Sequence, residues 1–146
     1  MKREENQNPT NDRSEIEQVE KLKFDSEYNF ERLTYTDTNS ILRGSNHNKN
    51  KKFQYLIEDW GVDLQSGRDR YLVEKHFKKP VILTDYPKDI KSFYMRLNDD
   101  RKTVAAMVIL APGIGEIVGG SHRESRLDLL INRMDESHIH YEEMFF

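Results

Sequence analysis

The chain has 146 residues, a formal net charge of −3 and no cysteine. This length suits one domain of ordinary size, and the lack of cysteine excludes both disulfides and a thiolate nucleophile. A slightly acidic chain without a lysine-rich block has no electrostatic basis for binding nucleic acid by itself, because such binding needs many phosphate contacts. No apolar run resembles a signal sequence or a membrane span. We therefore expect a cytoplasmic protein with no membrane partner.

The first 25 residues form a polar segment rich in charged and amide side chains. Its large apolar residues are only Met1, Ile16, Val19, Leu22 and Phe24. So little apolar surface cannot offset the entropy lost on ordering the chain. The composition predicts a disordered segment over 1–25, with a short helix near 14–22, followed by one domain over 26–146.

Two helices are predicted in the first half of that domain. The first runs from Thr36 to Leu42, with Thr36 or Asp37 as its cap, and a polar loop over 44–51 follows it. The pattern Ser-Gly-Arg-Asp at 66–69 is a capping box that opens a second helix, ending near Phe77. Its apolar face is predicted to hold Leu72, Val73, His76 and Phe77. His76 on that face is interpreted as a packing residue rather than a catalyst.

Strands are predicted from β-branched and aromatic residues over 81–85, 93–97, 104–110 and 114–118. Asn98-Asp99-Asp100-Arg101 is a turn between the second and third strands, and we prefer that interpretation to a calcium loop because other ligands are lacking. The elements indicate an α+β fold with an antiparallel sheet.

A third helix is predicted after a second capping box, Ser-His-Arg-Glu at 121–124. Its apolar face would hold Leu127, Leu130, Ile131 and Met134. Further on, His138 and His140 stand near Glu142 and Glu143, which is a weak zinc pattern. A spacing of two points the histidines apart on a helix, so a polar helix start is the preferred interpretation.

The most informative stretch is 103–127, TVAAMVILAPGIGEIVGGSHRESRL. An apolar strand ends at Ala-Pro-Gly, and Glu116 then stands among apolar residues before a double glycine and Arg123. A semi-buried acid and a positioned arginine are costly unless something charged binds them.

This stretch closely resembles the asparaginyl-tRNA synthetases, whose pattern is A-M-D-x-L-A-P-G-x-G-E-I-x-G-G-S-Q-R-E-E-R-L. It departs at Val108, His122 and Ser125, where the family has Asp, Gln and an acid. Upstream, FERLTYT at 30–36, WGVDLQS at 60–66, RYLVEKHF at 70–77, PVILTDYP at 80–87 and FYMRLNDD at 93–100 resemble family blocks in family order.

The resemblance implies part of a class II synthetase catalytic domain, an antiparallel sheet flanked by helices. That family ligates asparagine to its tRNA through an asparaginyl-adenylate made with ATP and Mg²⁺. The OB-fold anticodon-binding domain and the second and third class motifs of the family have no counterpart in this sequence. Asparagine, ATP and tRNA are therefore the partners that the resemblance implies.

The resemblance also assigns site residues. Glu116 corresponds to a carboxylate that binds Mg²⁺ and ATP, and Val108 replaces the Asp that shares this task. Arg123 corresponds to the arginine that reads the amino-acid side chain. By the period-two alternation of the predicted strand, Tyr94 and Arg96 share one face, which would either line the floor of the same pocket or face water. The alternatives are a residual acid at a solvated sheet end for Glu116 and a solvent-facing residue in a first helical turn for Arg123.

Three functional hypotheses follow. The chain is a fragment of an asparaginyl-tRNA synthetase, inactive in isolation, whose partners are the missing halves of a split enzyme or a second subunit in a homodimer. Alternatively, it is a non-catalytic paralogue that acts as an interaction or regulatory module, which Val108 favours. In the third hypothesis it retains only the binding of asparagine or adenylate.

Overall fold

The computed structural model of the chain describes residues 17, 19, 20, 23, 29–45, 59–64 and 66–140. The order of elements is β1 (Glu31–Thr34), α1 (Tyr35–Gly44), α2 (Ser66–Arg70), β2 (Val81–Pro87), β3 (Thr103–Ala111), β4 (Gly115–Ser121) and α3 (Leu127–Glu136). A π-helical segment, Tyr71–His76, extends α2, and a 3₁₀ turn, Lys88–Ile90, follows β2. The α+β prediction is confirmed.

Most of the predicted N-terminal segment lies outside the described residues. Glu17, Val19, Glu20 and Lys23 have helical backbone, and the boundary near residue 25 stays a prediction. Among the described residues, no helix has the length and apolar character that crossing a membrane requires.

The four strands form one sheet in the order β1-β2-β3-β4. Strands β2, β3 and β4 are antiparallel, as predicted, whereas β1 pairs with β2 in parallel. Antiparallel pairing is therefore wrong for this one edge. A parallel pair needs a long crossover, and α1 and α2 lie in the connection between β1 and β2.

The hydrophobic core lies against one side of the sheet, which we call the core face. The core face carries Val81, Leu83, Val104, Val108 and Leu110, all buried. They pack in one cluster with Tyr35 and Leu42 of α1 and with Leu72 and Val73 of the π-helical segment. Alternate residues of the same strands point to the opposite side, which we call the outer face.

The start of α1 differs from the prediction. Thr34 is the cap, because its hydroxyl oxygen accepts a hydrogen bond from the Asp37 N–H at 3.1 Å. The predicted caps, Thr36 and Asp37, both lie inside the helix. A β-strand runs directly into this helix, so the cap is the last residue of β1.

The second helix also departs from the expected pattern. Ser66 already lies inside the helix, so the predicted capping box is wrong. The helix then widens into the π-helical segment, in which the Phe77 N–H donates to Leu72 O at 2.9 Å. The extra residue per turn rotates His76 away from buried Leu72 and Val73. His76 is exposed and stacks edge-on against Phe77, with ring centroids 4.6 Å apart. Its predicted burial in the core is wrong.

The predicted strand over 93–97 does not form. This segment has only isolated bridges, from Met95 to Arg123 and from Leu97 to Val104. A turn at its start keeps it from joining the ladder, although the predicted turn after it is confirmed by Arg101 N–H donating to Asn98 O at 3.0 Å.

The third helix begins at Leu127, so Arg123 does not lie in a helical turn. The predicted capping box is wrong because Ser121 ends β4. The buried residues of the helix are Leu129, Arg133 and Met134, whereas Leu127 is 65% exposed. The predicted apolar face is therefore wrong for Leu127, whereas Met134 is buried and Leu130 and Ile131 are half-buried.

The segment with His138 and His140 follows a helix instead of starting one. His138 has a φ of 56° just after the end of α3, and Glu142 and Glu143 lie outside the described residues. Within the described ranges, no three His, Cys, Asp or Glu side chains are grouped to hold a metal ion.

Candidate functional site

The resemblance-derived residues converge where β3 and β4 pair. Leu110 lies opposite Glu116, and Val108 lies opposite Gly119. Directly paired residues point to the same side of a sheet, so Glu116 stands on the core face beyond the hydrophobic cluster. The alternation of β3 places Val108 on that face, only 8% exposed.

A groove of about 300 Å³ opens at this end of the core face, and we call it the polar groove. It is lined by Lys91, Tyr94, Met95, Ala106, Met107, Val108, Glu116, Gly119, Gly120, Ser121 and Arg123. The structure thus brings Glu116, Arg123, Tyr94 and Val108 together. Arg96 is not among the lining residues, and its backbone instead bonds to His122 and Ala105.

Arg123 is held in place by two neighbours. Its guanidinium carbon lies 4.3 Å from the centre of the Tyr94 ring, and its Nη1 donates to Ser121 Oγ at 2.8 Å. Hydrogen bonding to Ser92 and the nearby Arg123 charge lower the pKa of Tyr94. Among the described contacts of Arg123, none is with a carboxylate. The guanidinium is therefore oriented but keeps donors available for a ligand oxygen.

The backbone that carries Arg123 is fixed by Glu124. The Glu124 carboxylate is buried and accepts hydrogen bonds from Leu97 N–H at 2.9 Å and from Arg126 Nε at 2.8 Å. Arg126 also donates to Leu97 O at 2.7 Å. These bonds lower the pKa of Glu124 to about 2, and the hydrogen bonding from the Arg126 side chain has the largest effect. Sequence reasoning missed this role because it placed Glu124 in a helical capping box.

Glu116 is exposed, and its carboxylate lies over Gly119. A Cβ on Gly119 would meet Glu116 Oε1 at 2.5 Å, so the present position of the carboxylate requires a residue without a side chain there. Glu116 also borders an open cavity of about 580 Å³ next to the polar groove, which Asp69 of α2 lines as well.

Asp69 is a second acid that sequence reasoning missed. Burial, followed by the charges of Asp63 and Glu116, raises the pKa of Asp69 to about 7. The signal for it lies in the pattern WGVDLQSGRDRYL, whose Asp69 was interpreted only as part of a capping box.

The polar groove does not fit a Mg²⁺ ion. Mg²⁺ binds carboxylate oxygens in near-octahedral geometry, but among the described residues Glu116 is the only carboxylate that lines the groove, and Val108 offers no ligand atom. Lys91 and Arg123 add positive charge to the same groove, which further disfavours a cation.

The raised pKa of Asp69 predicts a pH-dependent stability. The native state keeps a proton on Asp69 between its ordinary pKa of 3.8 and about 7, whereas the unfolded chain has lost it, so this group makes stability fall as pH rises through that window. We expect Asp69→Asn to be more stable than wild type at pH 8. Its free energy of unfolding should also fall less steeply with rising pH than that of wild type. Urea unfolding at pH 5, 6.5 and 8 measures it.

Asp89→Asn, which removes an exposed acid from the 3₁₀ turn, is the matched control and should keep the wild-type slope. Equal slopes for Asp69→Asn and wild type would contradict the assignment.

The fold and this groove define part of a class II aminoacyl-tRNA synthetase catalytic domain. The family described as tRNA synthetases class II (D, K and N) matches residues 5–145, and the chain belongs to this family.

The proteins that the chain resembles include asparagine–tRNA ligases. The chain is 51% identical over 136 residues to an asparagine–tRNA ligase of Shewanella denitrificans, covering 93% of this chain and 28% of that protein. It is 56% identical over 117 residues to one of Clostridium botulinum, covering 80% and 24%. An asparaginyl-tRNA synthetase of Pyrococcus horikoshii, solved in complex with asparaginyl-adenylate, superimposes with a TM-score of 0.64 at 35% identity, covering 79% and 25%. The chain thus spans about a quarter of the length of these relatives.

Proposed function

We propose that this chain is the amino-acid-reading part of an asparaginyl-tRNA synthetase catalytic domain and acts together with the rest of such a domain. The observation that carries the proposal is the oriented Arg123, stacked on Tyr94 and bonded to Ser121 at the edge of the polar groove. A guanidinium held in this way presents planar donors to the side-chain carbonyl oxygen of asparagine.

The electrostatics of the polar groove support an anionic or carbonyl-bearing ligand. Lys91 and Arg123 outweigh the single carboxylate, Glu116, among the charged lining residues. The asparaginyl-adenylate carries a phosphate and a side-chain carbonyl, and both accept hydrogen bonds from such donors. Asparagine, ATP and tRNA are accordingly the proposed substrates of the complete domain.

The proposal predicts that the isolated chain does not activate asparagine. Phosphoryl-group chemistry depends on arginine and Mg²⁺ charges placed around the phosphates, and the polar groove alone supplies few of them. We expect no asparagine-dependent ATP–pyrophosphate exchange above background from the purified chain. Exchange at a rate that scales with chain concentration would contradict this expectation.

Binding of the adenylate tests the amino-acid-reading role directly. In the chain mixed with the two flanking parts of the Clostridium botulinum ligase, Arg123→Ala should weaken binding of a non-hydrolysable asparaginyl-adenylate analogue by about 10- to 100-fold, as expected for a lost charge-assisted hydrogen bond. Calorimetry measures it. Lys75→Ala, which removes an exposed positive charge from the π-helical segment away from the groove, is the control, and an equal response of both variants would refute the role.

A second candidate function is that of a non-catalytic module, and Val108 favours it. A buried valine among the lining residues cannot ligate a cation, which is expected where metal-assisted chemistry has been abandoned. Pyrophosphate exchange by the reconstituted mixture separates the two: exchange that requires this chain supports the catalytic part, and binding without exchange supports the module.

A further inference from the structure

An acid and an arginine lie at the two ends of one row of residues along β4 and the segment that follows it. The register shift in the β3–β4 ladder leaves one extra residue in β4, so Glu116 and Gly119 point to the same side although they are three positions apart. Regular alternation places Ser121 and Arg123 on this side too. All four residues line the polar groove, and the two between the charged ends are small.

The two charged groups do not form an ion pair with each other. The Glu116 carboxylate lies over Gly119, and Arg123 Nη1 donates to Ser121 Oγ at 2.8 Å. Gly119 and Ser121 are two strand residues apart, which corresponds to about 7 Å. No ion pair in the described part of the chain joins Glu116 to Arg123. Because Gly119 has no side chain, the space between the carboxylate and the guanidinium stays open to the polar groove.

A carboxylate and a guanidinium at this spacing are complementary to a carboxamide group. The carboxamide oxygen accepts hydrogen bonds and its NH₂ group donates them, whereas both oxygens of a carboxylate only accept. An arginine by itself does not select the carboxamide, since its donors match a carboxylate at least as well. An acid opposite the arginine accepts a hydrogen bond from the NH₂ group and repels a carboxylate. Selection of asparagine over aspartate therefore needs an acceptor in the place that Glu116 occupies.

The other polar side chains that line the polar groove do not discriminate in this way. Ser121 and Tyr94 carry hydroxyl groups, and a hydroxyl both donates and accepts, so it fits an amide and a carboxylate alike. Lys91 and Arg123 only donate. Among the described lining residues, Glu116 is thus the one side chain that accepts strongly and donates nothing.

We propose that Glu116 selects a carboxamide over a carboxylate in the polar groove, by accepting a hydrogen bond from the NH₂ group of the amide whose oxygen Arg123 binds. This role differs from the binding of Mg²⁺ and ATP that the resemblance implies for Glu116. Val108 supports the difference, because without a second carboxylate the groove does not fit Mg²⁺. The inference rests on the proposed function, in which the groove takes the asparaginyl group.

The test compares non-hydrolysable asparaginyl- and aspartyl-adenylate analogues, which differ only in the side-chain group. The chain is mixed with the two flanking parts of the Clostridium botulinum ligase, and calorimetry measures both affinities in the presence of a chelator, so that no Mg²⁺ contributes. Wild type should bind the asparaginyl analogue more tightly. In Glu116→Gln the ratio of the two affinities should fall by about tenfold or more, since glutamine can turn its NH₂ group toward a carboxylate and no longer repels it.

Glu31→Gln is the matched control, because it makes the same chemical change on β1, at the opposite edge of the sheet. It should bind both analogues like wild type. Glu116 is exposed, so its substitution should leave the fold intact, and thermal unfolding by circular dichroism verifies this for each variant. A Glu116→Gln variant that keeps the wild-type ratio would overturn the selective role of Glu116 while leaving the proposed function intact.

Other outcomes also overturn this role. Equal weakening of both analogues in Glu116→Gln would mean that Glu116 binds a group that they share, such as the α-ammonium. A preference for the asparaginyl analogue that requires added Mg²⁺ would mean that Glu116 acts through a metal ion, and a wild type without any preference would show that nothing is selected. The proposed function fails on a different result, an asparaginyl-adenylate affinity that does not depend on Arg123. Binding of neither analogue by the wild-type mixture would overturn both.

Discussion

Glu124→Ala is expected to lower the free energy of unfolding by about 2–4 kcal/mol, because removing one partner of a buried, charge-assisted network leaves the other groups unpaired. The Glu124 side chain is fully buried, and the substitution would leave Leu97 N–H without its acceptor. Arg126 would lose the carboxylate that accepts from its Nε. Because Arg123 stands next in the chain, its stacking on Tyr94 should weaken too. Urea unfolding measures the stability.

Two further variants separate the network from a general loss of charge. Glu31→Ala removes a carboxylate from a surface pair with Lys79, whose side chains are 36% and 30% exposed, and should cost less than about 1 kcal/mol. Glu124→Gln should lose the part of the wild-type acid sensitivity that comes from Glu124. The lowered pKa of Glu124 stabilises the native state above its ordinary value of 4.5, and this contribution disappears as pH falls toward about 2. Equal losses for Glu31→Ala and Glu124→Ala would contradict the network.

Val108→Asp is expected to have opposite effects on stability and on activity. In the isolated chain it should cost about 3 kcal/mol or more, because an unpaired charge would replace a buried valine in the core cluster. In the reconstituted domain it should raise pyrophosphate exchange and strengthen its dependence on Mg²⁺. The introduced carboxylate would lie directly opposite Gly119 and face the polar groove that Glu116 also lines.

The control is Val108→Asn, which matches the introduced side chain in size but carries no charge. It should cost stability without creating Mg²⁺ dependence. Unfolding in chelator and in Mg²⁺ is measured for both variants, and only Val108→Asp should gain stability from the ion. A valine form that exchanges pyrophosphate as fast as Val108→Asp would show that a second carboxylate is dispensable.

The sequence predicted the central sheet better than the helix ends. Strands β2 and β3 contain runs of apolar and β-branched residues, and this composition favours buried strands. The caps failed because the motifs Ser66–Asp69 and Ser121–Glu124 are short, and tertiary contacts decide which hydrogen bonds they form. Glu124 bonds Leu97, a residue 27 positions away, and no local pattern reveals that partner.

The candidate site was predictable only through the family resemblance. The resemblance named Glu116, Val108, Arg123 and Tyr94, and the structure places these four residues around one groove. Arg96 is not among the residues that line this groove, because the period-two alternation that grouped it with Tyr94 holds for a strand and this segment has only isolated bridges. Asp69 was missed because its raised pKa depends on burial and on the charges of Asp63 and Glu116. Only folding brings Asp69 and Glu116 to one cavity.

The parallel β1 has a consequence for the order in which the chain folds. Strands β3 and β4 are joined by a short turn, so their pairing closes a small loop and can form early. Glu31 meets Val81 only after the whole intervening connection has been drawn together, and such non-local contacts form slowly. Strand β1 is also short and lies at the edge of the sheet. It is therefore the strand that joins last during folding and whose amide hydrogens exchange first with solvent.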